Sequence, residues 1–376
     1  MAATPICITD LTSAQIRELL GAMGEPSYRA RQLQHWIYQG FVFSFAEMTD
    51  FPLPFRQRLV QETMLHSLTP LHEVAERDGT VKTLFALADG KTIESTLMAY
   101  PAPAKGKARY TVCISTQVGC PIGCPFCATG QQGFERNLTP GEIIDQVLYF
   151  ARRLRDRSNE GNNSSRVRHI NNLVFMGMGE PLANYDALWQ AIEMLNSPQG
   201  FGLGARNMVI STAGLVPQIR RLSQEKLQVG LAISLHASEN GLRSKLVPIN
   251  KKYLLEELIP ACREYFEKTG RRPSFEYVLF KGMNDSVRHA CSLAQLLAGL
   301  KCHVNLIPAN RTADQSFKPP RGDTVLAFQR ELKRWHIACT VRQGRGLDID
   351  AGCGQLRSRF LPGTENQSAP ISLKKG

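Results

Sequence analysis

Three cysteines stand in one short segment, Cys120-Pro-Ile-Gly-Cys124-Pro-Phe-Cys127, at intervals of four and three. Two prolines and a glycine interleave them, which marks a tight loop and brings three sulfurs together on it. Three thiolates suit an iron–sulfur cluster. Closing such a site with protein alone would take a fourth ligand. Structural zinc also wants four ligands, usually as two separated pairs, and the sequence has no second pair. Three inert core cysteines are the plainer alternative, and the interleaved turn formers argue against it. A cluster held by three cysteines keeps one iron open to an external ligand.

The elements around this loop must hold it over a substrate. The chain has 376 residues, 43% hydrophobic and 21% charged, an ordinary globular composition. A disordered chain, a collagen-like repeat and a coiled-coil rod are excluded. No run of about 18 uncharged apolar residues occurs, so no membrane span is expected. The start, MAATPICITD, lacks a secretory signal, so a cytoplasmic, reducing location is expected. The other cysteines without cluster spacing, Cys7, Cys262, Cys291, Cys302 and Cys339, read as ordinary thiols. Net charge is +12 from 45 basic and 33 acidic side chains. That favours a polyanionic partner, nucleic acid before a membrane surface, with simple solubility as the plain alternative.

Residues 1–75 read as a helical accessory domain. Thr12 or Ser13 caps a first helix whose Ile16, Leu19, Leu20 and Met23 share one face. A second helix runs through Arg31, Leu33, Trp36 and Ile37 to Gly40. Residues 76–109 read as a β-hairpin around Asp89-Gly90 and a linker, PAPAKGKAR. From Tyr110 the pattern becomes short apolar strands alternating with helices, about six βα units over 110–358. The first helix opens with a capping box, Thr139 with Glu142, and Pro140 at its first position. Six units are fewer than the eight of a closed barrel, and no phosphate-binding glycine loop follows the first strand. The fold class expected is therefore α/β, an incomplete (βα)6 barrel. The stretch DRSNEGNNSSRVRH reads as an exposed loop, and 359–376 as a flexible tail.

The cysteine spacing is that of the radical S-adenosylmethionine (SAM) enzymes. Beyond it, VCISTQVGCPIGCPFCATGQQGFERNL, MGMGEPLAN, ISTAGLVP, ISLHA, LVPINKKY, HVNLIPAN and DIDAGCGQL together resemble the RlmN/Cfr family of RNA adenosine methyltransferases. The resemblance covers most of residues 80–360 in register, and the helical N-terminus fits it more loosely. It implies a 4Fe–4S cluster on Cys120, Cys124 and Cys127, with SAM bound at its open iron. It further implies that Gly179, Glu180, Ser211, Ser234, Leu235, His236 and Asn310 line the SAM pocket. Cys353 matches the cysteine that becomes S-methylated, Cys113 its transient disulfide partner, and Glu94 the proton acceptor. Read alone, Cys353 would be a small residue in a turn, Cys113 a packed thiol and His236 a core histidine. Two positions depart from the family pattern: Gly352 where alanine is usual, and Arg311 where proline is common.

The chemistry behind this set is intelligible. Carbon-2 of adenine lies between two ring nitrogens and is too electron-poor to attack a methylsulfonium, whereas a carbon radical can add to it. The family consumes two SAM molecules per turnover. One methylates the Cys353 thiolate, a good nucleophile. The other supplies the radical that activates that methyl. Proton loss to Glu94 and attack of Cys113 on the Cys353 sulfur then free the product. Pro181 after the GMGE segment favours the RlmN branch. This branch implies carbon-2 methylation of an adenosine in the peptidyl-transferase centre of 23S rRNA, and of the adenosine beside the anticodon in tRNA. It also implies a reducing donor such as a flavodoxin. A Cfr-like carbon-8 methyltransferase and a non-catalytic iron–sulfur RNA-binding protein are the alternatives.

Overall fold

The alternation of short apolar runs and helices resolves into one ten-stranded mixed sheet in the structure, a computed structural model. It describes residues 5–102, 108–159, 169–310 and 316–342, with backbone alone at 158 and 159. Outside the described residues lie the lysine-bearing linker, most of the polar stretch after residue 159, Arg311, Gly352, Cys353 and the tail.

Before the sheet come β1 (Ile6–Cys7), α1 (Ser13–Ala22), α2 (Tyr28–Tyr38), α3 (Leu53–Glu62) and β2 (Thr63–Met64), with β1 and β2 paired in parallel. Thr12 is the cap of α1. Its side chain accepts from the Gln15 amide, and the Gln15 side chain accepts from the Thr12 amide. The helical reading of residues 1–75 stops short. Residues Leu68–Ala75 form β3, antiparallel to β4 (Val81–Leu87). An edge strand is paired on one side only, so it tolerates Pro70 and shows little apolar alternation. The expected hairpin of β4 and β5 (Thr92–Tyr100) forms, and Gly90 turns it with φ +80°.

The strand β6 (Arg109–Cys113) pairs antiparallel with β5 and parallel with β9 (Ile170–Phe175). Between them lie β7 (Gln117–Gly119), α4 (Ala128–Gln131), β8 (Phe134–Asn137) and α5 (Pro140–Asn159). The sheet continues in parallel through β10 (Met208–Thr212), β11 (Gly230–Ser234), β12 (Ser274–Leu279), β13 (His303–Pro308) and β14 (Cys339–Val341). Their connections carry α6 (Tyr185–Asn196), α7 (Val216–Leu222), α8 (Asn240–Leu246), α9 (Leu255–Thr269), α10 (Val287–Leu296) and α11 (Gly322–Arg334). Parallel neighbours require such crossovers. Because the strands follow one another in sequence order, all their C-terminal ends gather along one edge. Among the described residues the sheet is open, with β3 and β14 at its two edges.

The capping box of α5 forms as expected, Thr139 N to Glu142 Oε2 at 2.9 Å and Glu142 N to Thr139 Oγ1 at 3.2 Å. Arg136 holds both oxygens of Glu142 at 2.8 Å and Asp89 at 2.7 Å, tying β8 and the hairpin to the start of α5. Among the described residues no helix is long and apolar enough to cross a membrane.

The N-terminal segment is fastened to α5 by a buried pair. His66 Nδ1 lies 2.8 Å from Asp145 Oδ1, and His66 Nε2 lies 2.8 Å from the Val42 carbonyl. The second oxygen of Asp145 accepts from Ser67 N at 2.7 Å. Both ring nitrogens face acceptors, which favours imidazolium. Burial alone would lower the His66 pKa; the charge and hydrogen bond of Asp145 and the Val42 carbonyl outweigh it, against a smaller opposing effect of Arg152, and raise it. The stabilisation is therefore complete below the ordinary imidazole range and lost as pH rises through the raised value. In thermal melts, the stability advantage of wild type over His66→Gln should shrink by on the order of 1 kcal/mol between about pH 6 and pH 9. A pH-independent difference would contradict a charged His66.

Candidate active site

The cysteine loop leaves the C-terminal end of β6 through β7 and returns through β8. Gly119 has φ +73°, and a Cβ there would run into the Gly133 carbonyl oxygen, so only glycine lets the two strands close. Cys120 N donates to Gly133 O at 2.8 Å, and Cys127 N donates to Cys124 O at 3.1 Å. The loop is seated by Ile122 and Phe126 on a second apolar cluster with Ala213, Ala237, Phe280 and Phe317. The Phe126 ring meets His236 edge-on at 5.1 Å and Phe280 at 5.2 Å.

Burial pushes the Cys120 thiol up to about 12, helped by the negative charges of Glu180 and Cys127. Burial also raises Cys124 well above the ordinary thiol range, with Cys127, Cys120 and Glu180 adding to it and Arg243 opposing. The three sulfurs thus lie close enough to repel as thiolates, and a cationic group is needed to hold them ionised. Among the described residues no three His, Cys, Asp or Glu side chains converge on one metal-ion position. A polynuclear cluster makes a different demand, with its thiolates standing apart around its corners. The donor set of three soft sulfurs on one loop fits such a cluster.

Beside the loop, the segment after β9 runs against residues 114–117. Thr116 N donates to Met178 O at 2.8 Å, and Glu180 N donates to Gln117 Oε1 at 2.7 Å. Gly179 has φ +105°, and a Cβ on it would stand 2.6 Å from Gln117 Cβ. The Glu180 carboxylate is 3% exposed and accepts from Leu182 N at 3.1 Å and Ala213 N at 2.7 Å. Burial raises its pKa to about 7 against those donors. Both its oxygens are already engaged, so Glu180 ties the end of β9 to the end of β10.

Ser211 and Ser234 lie on neighbouring strands with hydroxyls 3.5 Å apart. Leu235 is fully buried, and its N–H donates to Glu276 O at 3.0 Å. His236 takes φ +59°, an uncommon conformation for a residue with a side chain. Its Nδ1 accepts from Val278 N at 3.1 Å, which leaves the ring proton on Nε2. Burial, with the charge of Arg243, lowers its pKa to about 3, so the ring is neutral. Asn310 follows β13 at the same edge.

Glu94 sits on β5 and Cys113 on β6. Thr96 faces Cys113 directly, so Glu94, two residues from Thr96, shares the sheet face of Cys113. Both lie at the end of β6 from which the cysteine loop departs. Glu94 is 4% exposed, and Lys82 Nζ stands 3.4 Å from its Oε1. The Glu94 carbonyl accepts from Ser115 Oγ at 2.6 Å. The expected third member, Cys353, lies outside the described residues. The described cysteines are free thiols. Sequence reasoning missed Arg243, a charged residue in a helical stretch that the fold buries completely; nothing local in the sequence marks it.

If Gly179 lines a SAM pocket, as the resemblance implies, Gly179→Ala should fold the sheet but weaken SAM binding by about tenfold or more, since strain at a left-handed position typically costs about 1–3 kcal/mol. Calorimetry of SAM binding checks this, and unchanged affinity would remove Gly179 from the pocket.

The N-terminal segment, residues 6–65, matches the family model described as ribosomal RNA large subunit methyltransferase N-terminal domain. The chain is 46% identical to the probable dual-specificity RNA methyltransferase RlmN of Roseiflexus sp. (strain RS-1), over 92% of this chain and 95% of that one. It is 44% identical to the protein of the same description from Geobacillus kaustophilus (strain HTA426), over 94% and 92%. Among solved structures, a radical SAM methyltransferase from Sphaerobacter thermophilus superposes with a TM-score of 0.89 at 48% identity, covering 94% of this chain and 100% of that one.

Proposed function

Because the chain belongs to the RlmN family of radical SAM RNA methyltransferases, we propose that it methylates carbon-2 of adenosine, in the peptidyl-transferase centre of 23S rRNA and beside the tRNA anticodon. The observation that carries this reading is the placement of Glu94 and Cys113 on one sheet face, at the strand end where the cysteine loop begins. A protein that merely binds RNA has no use for a buried carboxylate and a thiol there. The sheet is taken as the partial (βα)6 barrel of the family, and the helical segment ahead of β3, with Arg17, Arg31 and Arg58 exposed, as an RNA-contacting appendage.

In this reading Cys120, Cys124 and Cys127 hold the 4Fe–4S cluster. Gly179, Glu180, Ser211, Ser234, Leu235, His236 and Asn310 shape the SAM pocket. When bound, the cluster and SAM supply a carbon-centred radical, with an electron from a reducing partner such as a flavodoxin, and two SAM molecules are used per turnover. The chain's own part is narrower. Cys353 carries the methyl group. Glu94, in a site largely closed to water, accepts the proton that the ring carbon must lose. Once the adduct has given up its unpaired electron and that proton, the Cys113 thiolate attacks the Cys353 sulfur: an S–S bond forms, the C–S bond breaks, and its electron pair with one proton completes the methyl group of the product. Neutral His236 and Phe126 line the apolar wall beneath the loop. The backbone of Gly179 lets SAM approach where a side chain would intrude. The enzyme works in the cytoplasm, where its RNAs are.

Anaerobic incubation of the reconstituted chain with SAM and dithionite tests the reading. Formation of 5′-deoxyadenosine together with 2-methyladenosine in added rRNA is expected. A chain that holds a cluster and RNA but makes neither product would be a binding protein.

A further inference from the structure

Among the described residues, Arg243, on α8, is the largest fully buried side chain. Its guanidinium donates to four acceptors, all neutral: the Ala213 carbonyl at 2.6 Å, the Ser234 carbonyl at 3.2 Å, the Leu235 carbonyl at 3.2 Å, and Asn250 Oδ1 at 2.9 Å. Among the described residues no carboxylate pairs with it. A buried cation without a counter-ion is costly, and native interiors hold one where something of opposite charge faces it. The ionisable groups that feel Arg243 as an opposite charge are the thiols of Cys124 and Cys262. Cys262 is buried in α9 and is not part of the cysteine loop. Cys124 belongs to that loop, and Ala213, whose carbonyl Arg243 holds, sits in the apolar cluster against which Cys120, Cys124 and Phe126 pack.

We propose that Arg243 is a positioning residue for the cysteine loop: its unpaired charge offsets the negative charge of a three-cysteine cluster, and its fork fixes the strand ends on which the SAM pocket is built. This rests on the reading of Cys120, Cys124 and Cys127 as cluster ligands. The fork bonds Ala213, just after β10, and Ser234 and Leu235, at the end of β11, so it holds the strand ends next to Ser211 and His236. Ala213 is held on both sides, its N–H by Glu180 and its carbonyl by Arg243. Reduction of the cluster adds one electron and one negative charge, with no bond made or broken. A buried positive charge nearby favours that reduced state and raises the potential.

Two variants separate charge from geometry. Arg243→Met keeps the length and removes the charge; Arg243→Lys keeps the charge and loses the fork. Each is reconstituted anaerobically and titrated with dithionite, with the reduced cluster followed by electron paramagnetic resonance. Circular dichroism reports folding, and calorimetry reports SAM affinity. In Arg243→Met the reduced-to-oxidised ratio at a fixed potential should fall by about tenfold or more, equivalent to about 59 mV for a one-electron couple. Arg243→Lys should keep the wild-type ratio while binding SAM about tenfold more weakly, the loss expected for a bond to a charged donor. If Arg243→Met does not fold, Asn250→Asp takes its place, giving Arg243 a carboxylate partner and lowering the ratio in the same direction. An unchanged ratio in the folded neutral variant or in Asn250→Asp overturns the proposal, and so does a lysine variant that falls as far as methionine. A wild-type chain that binds no cluster overturns the ligand assignment and this proposal together. A loaded wild type beside variants of unchanged potential overturns the role of Arg243 alone.

Discussion

Cys113→Ala is expected to leave cells with RNA covalently attached. In the proposed mechanism the variant keeps Cys353 as methyl carrier and Glu94 as proton acceptor, and lacks the thiol that would release the product. The reaction should therefore stall after carbon–carbon bond formation, with the RNA linked through Cys353. The attached RNA should survive denaturation, disappear on nuclease treatment, and be absent from the Cys113→Ala, Cys353→Ala double variant. Methylated product should fall by at least about 10³-fold, as when one member of a group that acts as a unit is removed. The position of Cys113, on the face it shares with Glu94 at the base of the cysteine loop, is what makes a direct role credible. A Cys113→Ala protein without attached RNA and without activity would make Cys113 a packing residue.

The second large effect concerns the three cysteines proposed as cluster ligands. Cys120→Ala, Cys124→Ala and Cys127→Ala should each lose the brown chromophore and nearly all iron, because two thiolates hold a cluster poorly. Each single variant should lose as much methylation as the triple variant, about 10³-fold or more. The fold should persist, since Ile122, Phe126 and the paired β7 and β8 seat the loop without metal. Iron and sulfide analysis with absorption spectra checks this. A fully loaded cluster in any one of the three shows that its cysteine is not a ligand.

The parts legible in sequence are those whose signal is local. The tight cysteine loop is one, because its turn formers and its three cysteines lie within eight residues. The Thr139–Glu142 capping box and the Asp89-Gly90 hairpin are others, since each is complete within a few residues. The parallel strands were legible as apolar runs because both faces of such strands are covered. What was missed depends on distant contacts. Strand β3 is an edge strand with both faces partly exposed and a proline in it, so its eight residues read as the end of a helical region. The burial of Arg243 follows from carbonyls on two other strand ends, which no pattern in α8 announces. Glu180 was legible as a strand-end carboxylate, and its backbone partners were not, because Ala213 comes 33 positions later. The RNA contact proposed for the helical segment calls for point substitutions rather than a deletion. Removing residues 1–75 would take away β3 and the His66–Asp145 pair as well as the helices. Exchanging Arg17 and Arg31 for glutamate isolates RNA contact without that damage.

The most direct measurement is nucleoside mass spectrometry of 23S rRNA and tRNA from cells with and without this chain. 2-Methyladenosine should be present in both RNAs when the intact chain is expressed, vanish when it is deleted, and stay absent when the chain that restores expression carries Cys353→Ala. Levels of 2-methyladenosine that do not change on deletion, or 8-methyladenosine appearing in its place, would contradict methylation at carbon-2 by this protein.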